Sequence, residues 1–226
     1  MTAVVVAASS VVGFLAGAGL DIVVTRVPAR TRVLAPGAGR ELRPRRAAVL
    51  AVACASLFGG VALRLHESWA LPAFLVLAAA LVALSLIDLE HFILPNRIVY
   101  PLAVATLGLL ALGAIGDRDG GAMVRALLGG AAGFAALFVL HVLSPRSMGF
   151  GDVKLSFVLG LALGWLGWGE LVLGLFLAFL YGAVVGVVLM LLRRRGRKDQ
   201  VPFGPFLAAG TLTAVLWGAA ILRWYD

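Results

Sequence analysis

The sequence predicts an all-α membrane protein, a polytopic bundle of about eight transmembrane helices (six to eight) that forms one domain over residues 1–226. Hydrophobic residues make up 62% of the 226 residues, and charged residues only 13%. A soluble domain is typically near half apolar and a quarter charged, and a disordered chain is poor in apolar residues. Both of those classes are therefore excluded.

Eight apolar segments follow when the sequence is cut at its charged residues and its Pro/Gly clusters. A spanning helix needs about 20 mainly apolar residues. Seven segments approach this length, and the sixth is short, which predicts a tilted or shallow crossing. The segments are 3–25, 47–63, 69–87, 98–116, 122–143, 155–168, 170–192 and 206–222.

The basic residues predict the orientation of the bundle. The first positive charges follow the first segment, which places the N-terminus outside and residues 26–46 in a short basic cytoplasmic loop. With that orientation, 15 of the 19 Lys and Arg residues are cytoplasmic and four are outside. The cytoplasmic set is Arg26, Arg30, Arg32, Arg40, Arg43, Arg45, Arg46, Arg97, Arg146, Lys154, Arg193, Arg194, Arg195, Arg197 and Lys198. The net charge of +8 thus reflects membrane topology, and no nucleic-acid partner is expected.

Two carboxylates stand out because an ionisable residue at the edge of the hydrocarbon core is costly. Asp88 ends the third segment, in SLIDLEHFILPNRIVYP, and Asp152 precedes the sixth, in SMGFGDVKLSFVLG. The third span runs inward and the sixth runs outward, so both residues are predicted at the cytoplasmic face. Asp152 alone could cap a helix, and Asp88 alone could be a solvated helix end. Together they suggest an aspartic protease, in which two carboxylates share one proton.

Other hydrolytic chemistries lack their residues. The three histidines do not suit a Ser/His mechanism, because His66 is predicted outside, His91 at the interface and His141 as a packed polar residue. An HExxH metal motif is absent. The single cysteine, Cys54, excludes both an intrachain disulfide and a CxxC-based zinc site, so no metal site is predicted.

The strings IDLEHFILPN (87–96) and GFGDVKL (149–155) resemble the motifs of the prepilin peptidases, the type IV leader peptidase family of GxGD intramembrane aspartic proteases. Two weaker strings, GLDIVVTRVP (19–28) and VPFGPFLAAG (201–210), also resemble this family. The resemblance implies that Asp88 and Asp152 are catalytic. It also implies that the neighbouring motif residues shape the site, namely Pro95, Asn96, Gly149, Gly151 and Lys154.

The same resemblance implies a substrate and a location. Such enzymes remove the short basic leader of type IV pilin-like precursors at the cytoplasmic face of the bacterial or archaeal cytoplasmic membrane, and proteolysis needs no cofactor. Many members carry two zinc-binding CxxC pairs after the first span and N-methylate their product with S-adenosylmethionine. Here residues 26–46 contain no cysteine. Neither zinc nor the methyltransferase activity is therefore expected, and the oligomeric state is left open.

Several other residues carry structural expectations. Asp21 is expected to pair with a basic residue or to support the site, and Lys154 could pair with Asp152 or with lipid phosphate. Glu90 follows Asp88 by two positions, about 200° around a helix, and is expected at the interface. Small-xxx-small pairs predict close helix packing at Gly13/Gly17, Gly129/Gly133, Gly160/Gly164 and Gly182/Gly186.

Two other functions fit an intramembrane carboxylate pair. A small transporter or channel could use Asp88 and Asp152 to move protons or cations, but a carboxylate near the bilayer midplane and repeated halves are typical of transporters. Here both carboxylates are predicted at one face. A non-catalytic scaffold of a secretion machine would tolerate substitution of both residues.

Overall fold

The structure, a computed structural model, describes residues 1–28, 43–144, 148–192 and 201–224. These residues form eight α-helices and no strand, which confirms the all-α prediction. The helices are α1 (Thr2–Arg26), α2 (Pro44–Leu65), α3 (Leu71–His91), α4 (Asn96–Gly116), α5 (Gly120–Leu143), α6 (Phe150–Leu166), α7 (Trp168–Leu191) and α8 (Gly204–Leu222). The basic tract 193–198, Arg146 and residues 29–42 of the predicted loop lie outside the described residues.

Seven of these helices are long and apolar enough to cross a membrane, and the chain is a multi-pass membrane protein. The exception is α6, whose 17 residues extend about 26 Å at 1.5 Å per residue, against a hydrocarbon core of about 30 Å. The short sixth segment predicted from the sequence is thus confirmed as a short helix.

Three helices extend beyond the predicted segments by more than two residues at one end, because charged residues at a membrane edge can remain in the helical hydrogen-bond pattern. Helix α3 continues to His91, so Asp88 lies within it. Helix α6 begins at Phe150 rather than at residue 155, so Asp152 lies in the first turn of the helix and not before it. Helix α2 begins at Pro44, so the C-terminal end of the predicted loop 26–46 is helical.

The chain forms two compact units, Met1–Gly120 and Gly121–Asp226. In the first unit, α1 packs along α2, and α3 contacts α1, α2 and α4. Glycine allows the close approach of α1 and α2, because a Cβ atom at Gly13 would lie 2.6 Å from the carbonyl oxygen of Cys54, and one at Gly17 would overlap the carbonyl of Leu50. The prediction of close packing at this glycine pair is confirmed.

At the end of the first unit farther from Asp88, one carboxylate links the end of α4 to the connection between α2 and α3. Asp117, directly after α4, accepts a hydrogen bond from the Ser68 hydroxyl at 2.6 Å and another from the backbone N–H of Trp69 at 2.9 Å. Both donors lie in the connection between α2 and α3. These bonds fix the register of α4 against the start of α3.

In the second unit, α6 packs against α5 through glycine and contacts α7 and α8. A Cβ atom at Gly129 would lie 2.6 Å from the carbonyl oxygen of Gly160, and one at Gly164 would lie 2.6 Å from that of Arg125. The two predicted glycine pairs of α5 and α6 therefore form a close helix contact. The fourth pair behaves differently, since a Cβ atom at Gly186 would meet no atom within 4 Å.

Candidate active site

Asp88 lies on the buried face of the last turn of α3, and the residue is 5% exposed. Its backbone carbonyl accepts a hydrogen bond from the N–H of Phe92 at 2.8 Å. Phe92 ends the helix in the left-handed conformation, with φ 56° and ψ 35°. The preceding Ile87 is fully buried in an apolar cluster with Val24 of α1 and Ala83. Apolar packing and the helix cap therefore fix the backbone on both sides of Asp88.

Glu90 and His91 face away from this buried side. The Glu90 side chain is 42% exposed, as expected for a residue two positions from Asp88 on a continuous helix. His91 is exposed as well. Both residues are thus exposed, and their predicted place at the membrane interface stays a prediction.

An ion network joins α1, α2 and α3 at the end that carries Asp88. The Arg46 guanidinium is 3.0 Å from Asp21 through Nε and 2.9 Å from Glu90 through Nη1. The second oxygen of Asp21 accepts a hydrogen bond from the backbone N–H of Arg43, the N-cap of α2, at 2.8 Å. Asp21 is fully buried. The expectation that Asp21 pairs with a basic residue is confirmed, and its partner comes from the next helix.

Pro95 and Asn96 form the start of α4. Pro95 is the N-cap in extended conformation, and its carbonyl accepts hydrogen bonds from the N–H groups of Ile98 at 2.9 Å and Val99 at 3.1 Å. Asn96 is the first helical residue and is exposed. The Pro–Asn string thus begins a helix close to the end of α3, which limits how far the chain can move after Asp88.

Asp152 is the third residue of α6 and is 6% exposed. Gly149 is the N-cap, and its carbonyl accepts a hydrogen bond from the N–H of Asp152 at 3.1 Å. A carboxylate in the first turn lies at the positive end of the helix dipole, which stabilises its negative charge. Both predicted catalytic residues therefore lie in the terminal turn of a helix, with their side chains largely removed from solvent.

The glycine before the GxGD motif's Phe does not need an unusual dihedral. Gly149 has φ −69° and ψ 143°, which any residue adopts. A Cβ atom there would instead lie 3.4 Å from the Oδ2 atom of Asp152. Glycine at this position therefore places no side chain against Oδ2 of Asp152.

Side chains around Phe150 pack against the first residue of α6 and the chain just before it. His141, in the last turn of α5, forms a hydrogen bond of 2.9 Å through Nδ1 with the carbonyl of Met148. Its ring lies 5.5 Å from that of Phe150, and Nζ of Lys154 lies 5.1 Å from the same Phe150 ring. The sequence predicts a packed His141 but does not predict its hydrogen bond to Met148. The only sequence signal for this bond is the short separation between His141 and the start of α6 at Phe150.

Each candidate catalytic residue lies on the most buried helix of its unit. In α6, 12 of 17 residues are buried, and in α3 nine of 21 are. The other helices of the first unit bury seven residues or fewer, over 21 residues or more. Ionisable residues within membrane segments almost always face the interior of the helix bundle, as both of these carboxylates do.

Metal ligands do not group in the part of the chain that the structure describes, where no three His, Cys, Asp or Glu side chains lie close enough together to hold an ion. Cys54 is a buried free thiol in α2.

Comparisons with known proteins match the part of the chain that contains both candidate residues. The model of the type IV leader peptidase family matches residues 75–190, which include Asp88 and Asp152. Relatives named prepilin leader peptidase/N-methyltransferase include one from Aeromonas salmonicida, 38% identical over 73% of this chain and 56% of its own length. Those from Pseudomonas aeruginosa and Bacillus subtilis are 36% and 33% identical over 80% and 79% of this chain, and 61% and 68% of their own lengths.

The chain thus spans little more than half the length of the Aeromonas relative that it matches. No solved structure matches the chain significantly. The family match still covers half of the chain and contains both buried carboxylates with their motifs. The chain belongs to the type IV leader peptidase family.

Proposed function

We propose that the protein is a membrane-embedded aspartic endopeptidase that removes the leader peptide of type IV pilin-like precursors. The observation that carries this proposal is the pair of buried carboxylates, Asp88 and Asp152, both within the matched residues 75–190. The printed activity of the relatives, prepilin leader peptidase, supplies the substrate class.

The proposed chemistry uses the two carboxylates in different protonation states. One ionised carboxylate accepts a proton from a water molecule, and the resulting hydroxide attacks the scissile carbonyl. The second carboxyl group, protonated, donates a hydrogen bond to that carbonyl oxygen and stabilises the charge that develops there. Proton return to the leaving amine then breaks the peptide bond. No cofactor takes part in this reaction.

The motif residues serve this chemistry by their places near the two carboxylates. Gly149 places no side chain against Oδ2 of Asp152, and Gly151 keeps the first turn of α6 small, so an extended substrate backbone can approach. The Lys154 ammonium group makes a cation–π contact with the Phe150 ring. Pro95 and Asn96 begin α4 close to the end of α3.

Membrane orientation follows from the charge distribution in the same proposal. The excess of Lys and Arg in alternate connections predicts a cytoplasmic location for both catalytic residues, in the cytoplasmic membrane of a bacterium or archaeon. A leader that is cut before its apolar helix enters the membrane would meet the site there. Partners are then the precursor and the lipid bilayer, and nucleic acid has no role.

The methyltransferase activity in the relatives' printed name is not part of the proposal. The chain has one cysteine, buried in α2, and residues 26–46 offer no CxxC pair. We expect the processed pilin-like protein to carry an unmethylated N-terminus, and S-adenosylmethionine would be needed only if that methyl group is found. Mass spectrometry of the processed product tests this directly.

The proposed cleavage is tested by co-expressing each variant with a pilin-like precursor and following the mobility shift on a gel. Asp88→Asn and Asp152→Asn are each expected to lower the rate at least about 10³-fold, because proton transfer by a positioned group contributes 10²–10⁴-fold. Glu67→Gln is the matched control, since this carboxylate is 90% exposed and predicted outside. Equal protein levels in membranes are required of all three.

The alternative functions give different results in the same experiment. Full processing by Asp88→Asn or Asp152→Asn would contradict an aspartic mechanism and favour a scaffold. A transporter would leave precursor uncut even with the unmodified chain, and would show carboxylate-dependent proton or cation flux in liposomes. The family match disfavours the transporter.

A further inference from the structure

The charged residues Asp21, Arg46 and Glu90 form one network that spans three helices at the Asp88 end of the first unit. Nothing in the proposed chemistry uses these residues directly. Arg46 is its centre, since it contacts the carboxylates of both other members. Its side chain is 18% exposed, whereas that of Asp21 is 1% exposed.

Such a network is a poor way to stabilise a membrane helix bundle. Removal of two charges from water costs several kcal/mol per ion, and apolar side chains of similar volume often give equal or greater stability. In this network the Nη2 atom of Arg46 is buried and has no hydrogen-bond partner among the described residues. Because this network costs desolvation free energy and leaves a donor without a partner within the described part of the chain, its contribution to stability does not explain it. We look instead to its effect on how the helices are aligned.

The electrostatics favour a link between the two helix ends. The last turn of α3 carries Asp88 and Glu90 at the negative end of its dipole. The first turn of α2 carries Arg46 at a positive end, and Asp21 accepts the N-cap N–H of that helix. The dipole of its own helix disfavours each of these charges, and the opposite charge on the neighbouring helix offsets that cost. The network therefore specifies how α1, α2 and the end of α3 align.

This alignment bears on Asp88 because the Glu90–Arg46 pair adds a contact with α2 to the apolar packing and the helix cap on the two sides of Asp88. Ile87, Ala83 and Val24 pack together before Asp88 in the chain. Glu90, two positions after Asp88, is tied to α2 by its ion pair with Arg46. Apolar packing and the Glu90–Arg46 contact thus hold the short segment 87–90 from both ends.

We propose that Arg46 is a positioning residue for Asp88, through its ion pair with Glu90 and its anchor on Asp21. This inference rests on the proposed function, since it assigns a role in setting the catalytic geometry of Asp88. A shift of about 1 Å at a catalytic group can cost up to 10²-fold in rate without a comparable change in binding.

The test measures kcat and KM for precursor cleavage by the full-length chain in detergent, together with thermal unfolding. Arg46→Gln is expected to lower kcat by about 10- to 100-fold while KM changes less than about threefold. Arg46→Lys, which can keep one of the two ion pairs, is expected to recover part of that loss. Arg45→Gln is the matched control, because this neighbouring arginine is exposed, and its kcat is expected to stay within twofold.

Glu90→Gln keeps the test decisive even where Arg46→Gln fails to fold, since the Glu90 side chain is 42% exposed and glutamine has the same shape. We expect Glu90→Gln to lower kcat about 3- to 10-fold, and the double variant to lose no more than Arg46→Gln alone, because both remove the same link. Unchanged kcat in Glu90→Gln, or in a folded Arg46→Gln, would overturn the inference. A loss explained wholly by a lower fraction of folded enzyme, with kcat per folded enzyme intact, would also overturn it.

Failure of this inference is distinguishable from failure of the proposed function. Cleavage by Asp88→Asn would remove the proposed function and this inference together. An inactive Asp88→Asn beside a fully active Arg46→Gln would remove only the positioning role.

Discussion

The end of α3 and the start of α6 each carry one buried carboxylate, yet they are held by different means. At the end of α3, charged side chains from three helices meet, and the backbone is in the left-handed conformation at Phe92. At the start of α6, the backbone is unstrained at Gly149, and aromatic and polar contacts surround Phe150. Two carboxylates of the same proposed role therefore depend on different interactions.

The difference follows from how the two helices that carry the carboxylates contact their neighbours. The α5–α6 contact is made by backbone against backbone at glycines, so it has no room for added side-chain atoms. The contact of α3 with α1 and α2 is made by side chains, both apolar and charged. Adding a side chain should thus damage the Asp152 half, and removing a charge should damage the Asp88 half.

The largest effect is expected from Gly160→Leu. A Cβ atom at Gly160 would overlap the carbonyl of Gly129, and a branched side chain would force α5 and α6 apart. Overpacking typically costs 1–3 kcal/mol and more where backbone must move, so we expect a loss of at least about 3 kcal/mol in unfolding free energy. Thermal unfolding in detergent measures this loss.

Gly186→Leu is the matched control for Gly160→Leu. It is the same substitution on a glycine of the same unit, at a position where a Cβ atom would meet nothing within 4 Å. We expect its melting temperature to stay near that of the unmodified protein. Equal melting temperatures for the two variants would mean that the α5–α6 glycine contact does not hold the helix that carries Asp152.

A smaller effect is expected from His141→Phe. Phenylalanine retains an aromatic ring beside Phe150 but loses the hydrogen bond to the Met148 carbonyl. A hydrogen bond contributes about 0.5–1.5 kcal/mol, which predicts a cleavage rate about 3- to 10-fold lower. Initial rates of precursor processing measure it. His91→Phe, at an exposed position, should leave the rate unchanged, and an equal loss in both would contradict a role for the His141–Met148 bond.

Much of this fold was predictable because a lipid environment imposes length and composition on each helix. The all-α class and the short sixth helix followed from the apolar segments alone. Asp88 and Asp152 stood out because a carboxylate at the membrane edge needs a reason. Their motifs then indicated the family.

The pairing of Asp21 with Arg46 was not predictable, because it depends on which helices are neighbours and on how they are rotated. In a membrane protein both the buried and the lipid-facing sides of a helix are apolar, so sequence periodicity does not reveal rotation. The same limit explains why the glycines of α6 and Gly186 look alike in sequence but differ in packing. The ends of α3 and α6 differ from the predicted segments for another reason, since charged residues such as Asp88 and Asp152 can remain within a helix at the membrane edge.

A still smaller effect is expected from Lys154→Met at the start of α6. Methionine keeps an unbranched apolar side chain but removes the cation over the Phe150 ring. A cation–π contact is worth about 0.5–1 kcal/mol at a partly exposed site, so the melting temperature should fall by a few degrees. Lys154→Arg keeps a cation above the ring and should stay close to the unmodified protein. If both variants melt alike, the contact does not stabilise the Asp152 end.

The smallest effect is expected from relief of backbone strain at residues with positive φ. Phe92 and Arg118 have positive φ, at 56° and 54°, whereas Gly149 has φ −69°. The left-handed conformation costs a residue with a Cβ atom about 1–2 kcal/mol, and glycine's greater freedom in the unfolded chain offsets part of that gain. Arg118→Gly, at an exposed turn, should therefore raise the unfolding free energy by about 0.5 kcal/mol.

Phe92→Gly relieves the same strain but also removes a ring that is more than half covered, being 46% exposed. Because the lost burial opposes the relieved strain, we expect its unfolding free energy to fall below that of Arg118→Gly. A gain as large as that of Arg118→Gly would mean that the Phe92 ring adds nothing to the end of α3. The ion network and the apolar cluster around Ile87 would then hold the Asp88 end without the help of this ring.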